Sequence, residues 1–94
     1  MNNFPMYIKN DINDTLDNII NINKGKKIKV YITIKDSNEF KDKNFEGILE
    51  NGSNNYIILS NPNNGEWYLI PNKYINFIYF YENINYWFKN INLL

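Results

Sequence analysis

Hydrophobic residues recur with a helical period in the first quarter of the 94-residue chain. After Ile8, the aliphatic positions follow at steps of four, four, three and one residues, which places them on one stripe of a helix. These positions are Ile12, Leu16, Ile19 and Ile20. The spacing predicts an amphipathic helix over residues 11–22, and Gly25 supplies a left-handed stop after its last turn.

From Lys26 the period changes to two, which is typical of a half-buried strand. The apolar side of this strand carries Ile28, Val30, Ile32 and Ile34, and the other side carries Lys29, Tyr31, Thr33 and Lys35. Four more strands are predicted at residues 45–50, 56–60, 66–70 and 74–80. The polar loop that follows the first strand has Phe40 as its one apolar contact with the core.

Tight turns separate the predicted strands. Residues 51–54 and 61–65 are rich in Asn, Gly and Pro, which start or tolerate chain reversal. Gly47 can permit a bulge or a sharp bend within the second strand. The fold class is therefore mainly β with an N-terminal α-helix, and the five short strands are expected to form a bent sheet that closes into a small SH3-like or Sm-like barrel.

The chain is short enough for one domain. We expect an N-terminal arm at residues 1–10, the helix and barrel at residues 11–81, and an apolar extension at residues 82–94. The extension carries a helical stripe that predicts a short C-terminal helix, packed on the domain or on an oligomer interface. Its apolar positions are Ile84, Trp87, Phe88 and Ile91.

The amino-acid composition excludes most of the usual catalytic mechanisms. The chain has no Cys and no His, so disulfides, thiolate zinc sites, and His or Cys catalysis are excluded. The carboxylates are spread over the helix, turns and strands without a pair in an apolar cleft, and Asp11, Asp14 and Asp17 fit the positive end of the helix dipole. We expect no enzyme activity, no cofactor and no bound metal.

Nucleic acid is an improbable partner, although it is the alternative reading of the same fold. The 10 acidic and 10 basic residues give a formal net charge of zero, and every basic residue is Lys. The densest basic patch consists of Lys24, Lys26, Lys27 and Lys29. Such lysines are more typical of a sheet edge protected against aggregation than of a nucleic-acid binding site. A helix followed by five bent strands nevertheless also describes Sm-like RNA-binding barrels, and Tyr31 and Tyr56 offer stacking faces.

The aromatic residues, 17% of the chain, are the best candidates for protein contacts. Trp67 and Tyr68 occupy opposite faces of the fourth strand, so one enters the core while the other stays available, in either order. Tyr74, Phe77 and Tyr79 are expected in the core or at the barrel rim. The candidate partner-binding residues are Tyr31, Tyr56, Trp67, Tyr68, Trp87 and Phe88.

Residues 15–82 resemble the GerQ family of spore coat proteins. The most specific segment runs from Ile57 to Pro71, together with Tyr74-Ile75. The other matching segments are Asp17-Asn18-Ile19-Ile20, Gly25-Lys26, Val30-Tyr31, Phe45-Glu46-Gly47 and Asn76-Phe77-Ile78-Tyr79-Phe80. They coincide with the helix and strands derived from the hydrophobic pattern.

The resemblance implies a non-enzymatic coat component of endospores that is needed for the cortex-lytic cell-wall hydrolase CwlJ to be present and to work in germination. The implied partners are this hydrolase and other coat proteins. The apolar extension has no counterpart in the family pattern, and its own residues Trp87, Phe88, Ile91 and Leu94 are expected to offer a surface for self-association. The first residues lack a basic region followed by an apolar stretch, and no run reaches the length of a membrane span. The expected route is synthesis in the mother-cell cytoplasm without a signal peptide and deposition in the spore coat.

The chain departs from the family pattern at several points. The low-complexity N-terminal region of better-known members, whose lysines are crosslinked by transglutaminase, has no counterpart, so no crosslinked lysine can be assigned here. Because Gln is absent, the chain could offer only lysine amines to that reaction. Asn61 replaces an acidic residue before the turn proline, and Trp67 stands where a basic residue is common.

Overall fold

The computed structural model describes residues 17–86. Residues 17–22 are helical, and the chain then turns through Gly25, whose φ of 91° lies in the left-handed region. This confirms the predicted end of the helix and its glycine stop. The predicted beginning of the helix, the N-terminal arm and residues 87–94 lie outside the described residues.

Five strands follow, and all neighbouring strands run antiparallel. The sheet order is β4-β3-β2-β1-β5, so the first and last strands along the chain are neighbours. The five predicted strands are confirmed, but β1 ends at Ile32 and does not extend through Ile34 and Lys35 as predicted. β2 is longer than expected, and β5 begins one residue later, after a 3₁₀ turn at Asn72–Tyr74. The strands are β1 (Lys27–Ile32), β2 (Lys43–Gly52), β3 (Tyr56–Asn61), β4 (Glu66–Pro71) and β5 (Ile75–Phe80).

The core lies on one face of this sheet, which we call the inner face. Its fully buried side chains are aliphatic, and the end of the helix contributes Ile20. Phe40 packs against the core from the loop between β1 and β2, as predicted. The period-two pattern of β1 is confirmed, because buried residues alternate with half-buried or exposed ones along the strand. The buried hydrophobic residues are Ile20, Ile28, Val30, Ile32, Leu49, Ile57, Leu59 and Ile70.

Gly47 is required by a close approach of two strands. A Cβ atom at this position would lie 2.4 Å from the main-chain oxygen of Ser60, which cannot move without disturbing β3. The register irregularity in β2 falls between Leu49 and Asn51, three residues further on. Gly47 therefore permits close strand packing, and the bulge itself lies elsewhere.

The predicted closure into a barrel is not confirmed. Within residues 17–86, β4 pairs only with β3 and β5 pairs only with β1, so these two strands are the edges of an open sheet. The 3₁₀ turn at Asn72–Tyr74 carries the chain from one edge to the other. Thr33 then donates its N–H to the Tyr74 carbonyl at 3.0 Å, which directs the chain onto β1 and not back onto β4.

The predicted C-terminal helix is not present over residues 82–86. Asn23 is fully buried, and its side chain binds both main-chain groups of Asn85: it donates to the carbonyl at 2.9 Å and accepts from the N–H at 3.0 Å. Lys26 donates to the Asn83 carbonyl at 2.6 Å. These main-chain groups are therefore occupied by side chains instead of by the hydrogen bonds of a helix.

Candidate partner-binding surface

The outer face of the sheet, opposite the core, carries large apolar side chains in solvent. On β4, Trp67 and Leu69 are 65% and 67% exposed, and on β5 Phe77 and Tyr79 are 56% and 49% exposed. Strand alternation places them there, because their neighbours Tyr68, Ile70 and Ile78 face the core. Such exposed apolar groups, present at both edges of one sheet, are typical of protein contact sites.

Four rings on the β1–β5 side form two pairs, which together we call the aromatic face: Tyr31 with Phe77, and Tyr79 with Tyr81. Tyr31 is paired with Phe77 in the strand register, and their rings stack with centroids 4.4 Å apart. Tyr79 and Tyr81 meet edge to face at 4.9 Å. Because paired rings favour defined relative orientations, we expect the aromatic face to be preorganised.

Charged side chains border the aromatic face. The Lys27 ammonium lies 4.8 Å from the ring centre of Tyr81, and the Lys29 ammonium lies 5.9 Å from that of Tyr31. Lys27 also forms an ion pair with Glu46 at 3.9 Å. The Tyr81 hydroxyl donates a hydrogen bond to the Glu46 carboxylate. The surface therefore combines stacked rings with two cations and one anion.

The hydrogen bond between Tyr81 and Glu46 shifts the pKa values of both groups. It lowers the pKa of the Glu46 carboxyl, helped by the charges of Lys27 and Lys29, because it stabilises the carboxylate form. The same bond raises the pKa of the Tyr81 hydroxyl, since the donor must keep its proton. The negative forms of Tyr31 and Tyr81 raise the pKa of Lys29.

An apolar cleft of about 500 Å³ lies beside β4, between that strand and the loop that joins β1 to β2. Tyr68 forms part of its wall and packs on Phe45, with ring centres 4.9 Å apart. Lys43 lies 5.0 Å from the ring centre of Phe40. The lining residues are Ile32, Ile34, Phe40, Lys43, Phe45, Trp67, Tyr68, Leu69, Ile70, Pro71 and Tyr74.

The predicted site residues do not form one surface. The expectation for β4 is confirmed: Tyr68 packs against the core and Trp67 is in solvent. Tyr31 belongs to the aromatic face, whereas Tyr56 is half-buried at the start of β3, opposite Pro71. Two of the predicted residues, Trp87 and Phe88, lie outside the described residues.

Sequence reasoning missed three residues of the aromatic face, which are Phe77, Tyr79 and Tyr81. Tyr74 packs against the core, as expected, but Phe77 and Tyr79 do not. Alternation within β5 could have separated them from Ile78 and Phe80. It could not assign the faces, because all four side chains are apolar or aromatic and the register is irregular opposite Tyr31 and Ile32.

The described residues offer no reactive cluster. No group of three or more Asp or Glu side chains in residues 17–86 is placed to hold a metal ion. No helix within residues 17–86 has the length and hydropathy needed to cross a membrane. What the described residues do present is a set of exposed rings with a few charges beside them, which is suited to contact with another molecule.

Comparison with known proteins agrees with these features. Residues 13–86 match the model of the family described as spore coat protein (Spore_GerQ). The chain is 37% identical over 71 residues to the spore coat protein GerQ of Bacillus subtilis (strain 168). The match covers 76% of the chain and 39% of the length of that protein. The chain therefore belongs to the GerQ family of spore coat proteins.

Proposed function

We propose that this protein is a non-enzymatic docking module of the spore coat that holds a cortex-lytic hydrolase of the CwlJ type. Family membership supports a place in the coat, among other coat proteins. The observation that carries the docking role is the aromatic face, two pairs of packed rings that lie outside the core. Aromatic residues of this kind contribute strongly to protein interfaces.

The chemistry of the aromatic face defines the kind of partner surface that fits it. Its centre is apolar, and Lys27, Lys29 and Glu46 lie along its border. A partner therefore needs an apolar patch bordered by both signs of charge, with carboxylates opposite the two lysines. Border charges of this kind set specificity and association rate more than affinity.

The experiment uses spores that carry variants of the aromatic face. Phe77→Ala and Tyr79→Ala, alone and together, remove exposed rings and leave the core intact. The hydrolase is then quantified in coat extracts, and germination triggered by calcium dipicolinate is measured. We expect both to fall toward the level of a deletion strain, while an Asn63→Ala control in the turn between β3 and β4 leaves them unchanged.

A normal amount of hydrolase in the double variant would remove the aromatic face from the proposal. If deletion of the whole chain also leaves the hydrolase and germination unchanged, the docking role itself is wrong. Measurement of the variant protein in the same extracts separates a loss of docking from a loss of the chain.

Binding of single-stranded nucleic acid is the alternative, and one observation favours it. Lys27 and Lys29 lie beside tyrosine rings, the combination that tracks a phosphate backbone and stacks bases. Zero net charge and the absence of Arg argue against it. A fluorescence anisotropy titration with single-stranded RNA decides: binding that weakens steeply with salt supports the alternative, and no binding at low salt removes it.

A further inference from the structure

Among the described residues, the side of β4 that faces away from β3 is an open edge. Within residues 17–86 this strand pairs only with β3. The N–H of Asn72 donates to the Asn55 carbonyl at 2.8 Å, which fixes the phase of the β3–β4 ladder. Hydrogen-bonded and non-bonded pairs alternate along antiparallel strands. Counting back from Asn72 along β4, the main-chain groups of Trp67 and Leu69 therefore point away from β3, toward the open edge.

The same two residues carry the most exposed apolar side chains of the described chain. Trp67 and Leu69 lie on the outer face, and the Trp67 ring has no aromatic partner among residues 17–86. The strand has one charge, Glu66, and no Lys, and its proline is its last residue. Proteins usually block an open edge with Lys, an internal Pro or a bulge, and β4 has none of these.

We propose that β4 pairs with β4 of a second copy of this chain, antiparallel, around a two-fold axis through Tyr68. In this register Trp67 of each copy lies opposite Leu69 of the other. The two reciprocal pairs form four main-chain hydrogen bonds, using the outward N–H and C=O groups of both residues. Both apolar side chains of each copy meet on the outer face of one continuous ten-stranded sheet.

The phase of the ladders argues against an antiparallel pairing of β4 with β5. The Leu49 N–H donates to the Lys26 carbonyl at 2.9 Å, so alternate β1 residues face β2 and the others face β5. By this count, the main-chain groups of Ile78 and Phe80 point to the open edge of β5. Their side chains pack on the core. In an antiparallel pair of β4 with β5, Trp67 would lie opposite a residue whose side chain faces the core. The inner face of one copy would then continue into the outer face of the other.

Charge and size define what kind of dimer to expect. The formal net charge is zero, so two copies do not repel each other at long range. A two-fold interface is self-complementary, as the Trp67 and Leu69 pairs are. One pair of short strands covers less than the roughly 1,600 Å² of a standard stable interface. The dimer is therefore expected to dissociate on dilution.

Cysteine pairs test the register directly, because the natural chain has no Cys. Residues directly opposite in a hydrogen-bonded antiparallel pair have Cα atoms about 5.5 Å apart, within disulfide range. Diagonal neighbours are about 7–8 Å apart, which is too far. Mixing the Trp67→Cys and Leu69→Cys variants under mild oxidation should give the crosslinked dimer, whereas each variant alone should give little.

Other crosslinking patterns overturn the proposal. Equal crosslinking of Trp67→Cys with itself would mean a different register. Efficient crosslinking of Trp67→Cys with Phe77→Cys or Tyr79→Cys would mean that β4 meets β5. No crosslinking in the mixture would mean that β4 is not the contact.

Sedimentation equilibrium of the full chain provides an independent test. We expect a species of twice the 11.3 kDa chain mass at high concentration. Leu69→Lys should raise the dissociation constant by about tenfold or more, since each copy loses an apolar contact and gains a charge at the edge. Asn63→Lys, in the turn before β4, is the matched control. A monomer at all concentrations, or a dimer indifferent to Leu69→Lys, refutes the pairing.

Discussion

The two faces of this sheet use different residues for different purposes. The inner face is filled by Ile, Val and Leu that are almost fully buried, and its aromatic groups lie at the periphery. The outer face carries aromatic rings that remain largely in solvent, bordered by lysines. The fold therefore depends on the aliphatic face, while the outer face is available for contacts with other proteins.

This division implies that substitutions of similar size should have different effects on the two faces. On the inner face, a lost side chain leaves a cavity in a packed core. On the outer face, the same loss removes contacts that are mostly with solvent or with one neighbouring ring. The predictions below are ordered from the largest expected effect to the smallest.

Two leucines on neighbouring strands provide the strongest contrast. Leu59 is fully buried, whereas Leu69 is 67% exposed. Leu59→Ala should lower the free energy of unfolding by about 3 kcal/mol, because it opens a cavity between β2 and β4. Leu69→Ala should change it by no more than about 0.5 kcal/mol. Urea unfolding at low protein concentration measures both, and equal losses would contradict the division between the faces.

Two glycines separate steric contact from backbone conformation. Gly47→Ala should lower the free energy of unfolding by about 2 kcal/mol, because the added Cβ meets the Ser60 carbonyl. Gly65 has open space around it and a φ of 72°. Gly65→Ala should therefore cost only about 1 kcal/mol, from the left-handed conformation. A larger loss at Gly65 than at Gly47 would show that close strand packing is unimportant here.

The buried amide of Asn23 is the polar exception among the buried residues. Asn23→Ala should lower the free energy of unfolding by about 1.5 kcal/mol, since it leaves the main-chain groups of Asn85 without partners. Hydrogen exchange of the Asn85 N–H should become faster than in the natural chain. Asn18→Ala, at an exposed position, is the control. Unchanged exchange at Asn85 would mean that the side chain does not hold residues 82–86.

The stacked pair on the outer face should contribute less. A double-mutant cycle of Tyr31→Ala and Phe77→Ala should give a coupling energy of about 1 kcal/mol, the usual value for stacked rings. The same cycle between Tyr31 and Trp67 is the control. Trp67 lies on β4, three strands away from β1 in the sheet, and the coupling energy should be zero. Zero coupling for the first pair would mean that the aromatic face is not preorganised.

The smallest expected effect is a change in the pKa of the Glu46 carboxyl when its hydrogen bond to Tyr81 is removed. The lowered pKa of Glu46 means that its contribution to stability is present above the usual carboxyl pKa and is lost as the pH falls through the lowered value. Tyr81→Phe should move the pKa of Glu46 back up, as measured by NMR titration. Tyr79→Phe keeps the hydrogen bond between Tyr81 and Glu46 and should leave that pKa in place. An identical titration in both variants would contradict the assigned cause.

Much of the fold follows from local pattern. The alternation in β1 identified its buried face, and Gly25 identified the end of the helix, because both depend on neighbours along the chain. The opposite placement of Trp67 and Tyr68 was also predictable. Which of the two enters the core was not, since both are aromatic and the choice depends on the register with β3.

The predictions that the structure does not confirm concern features that depend on contacts between residues far apart in the sequence. The open sheet follows from the path between β4 and β5, which strand count does not determine. The non-helical residues 82–86 are held by Asn23 and Lys26, about sixty residues earlier in the chain. The aromatic face was missed because Phe77 and Tyr79 resemble core residues when their strand register is unknown.

The central claim is that the outer face binds a partner and the inner face maintains the fold. The most direct measurement is the amount of the cortex-lytic hydrolase in coat extracts of spores carrying Phe77→Ala and Tyr79→Ala together. The account predicts a normal amount of the variant chain and a strongly reduced amount of hydrolase. A normal amount of hydrolase beside a folded double variant would contradict it.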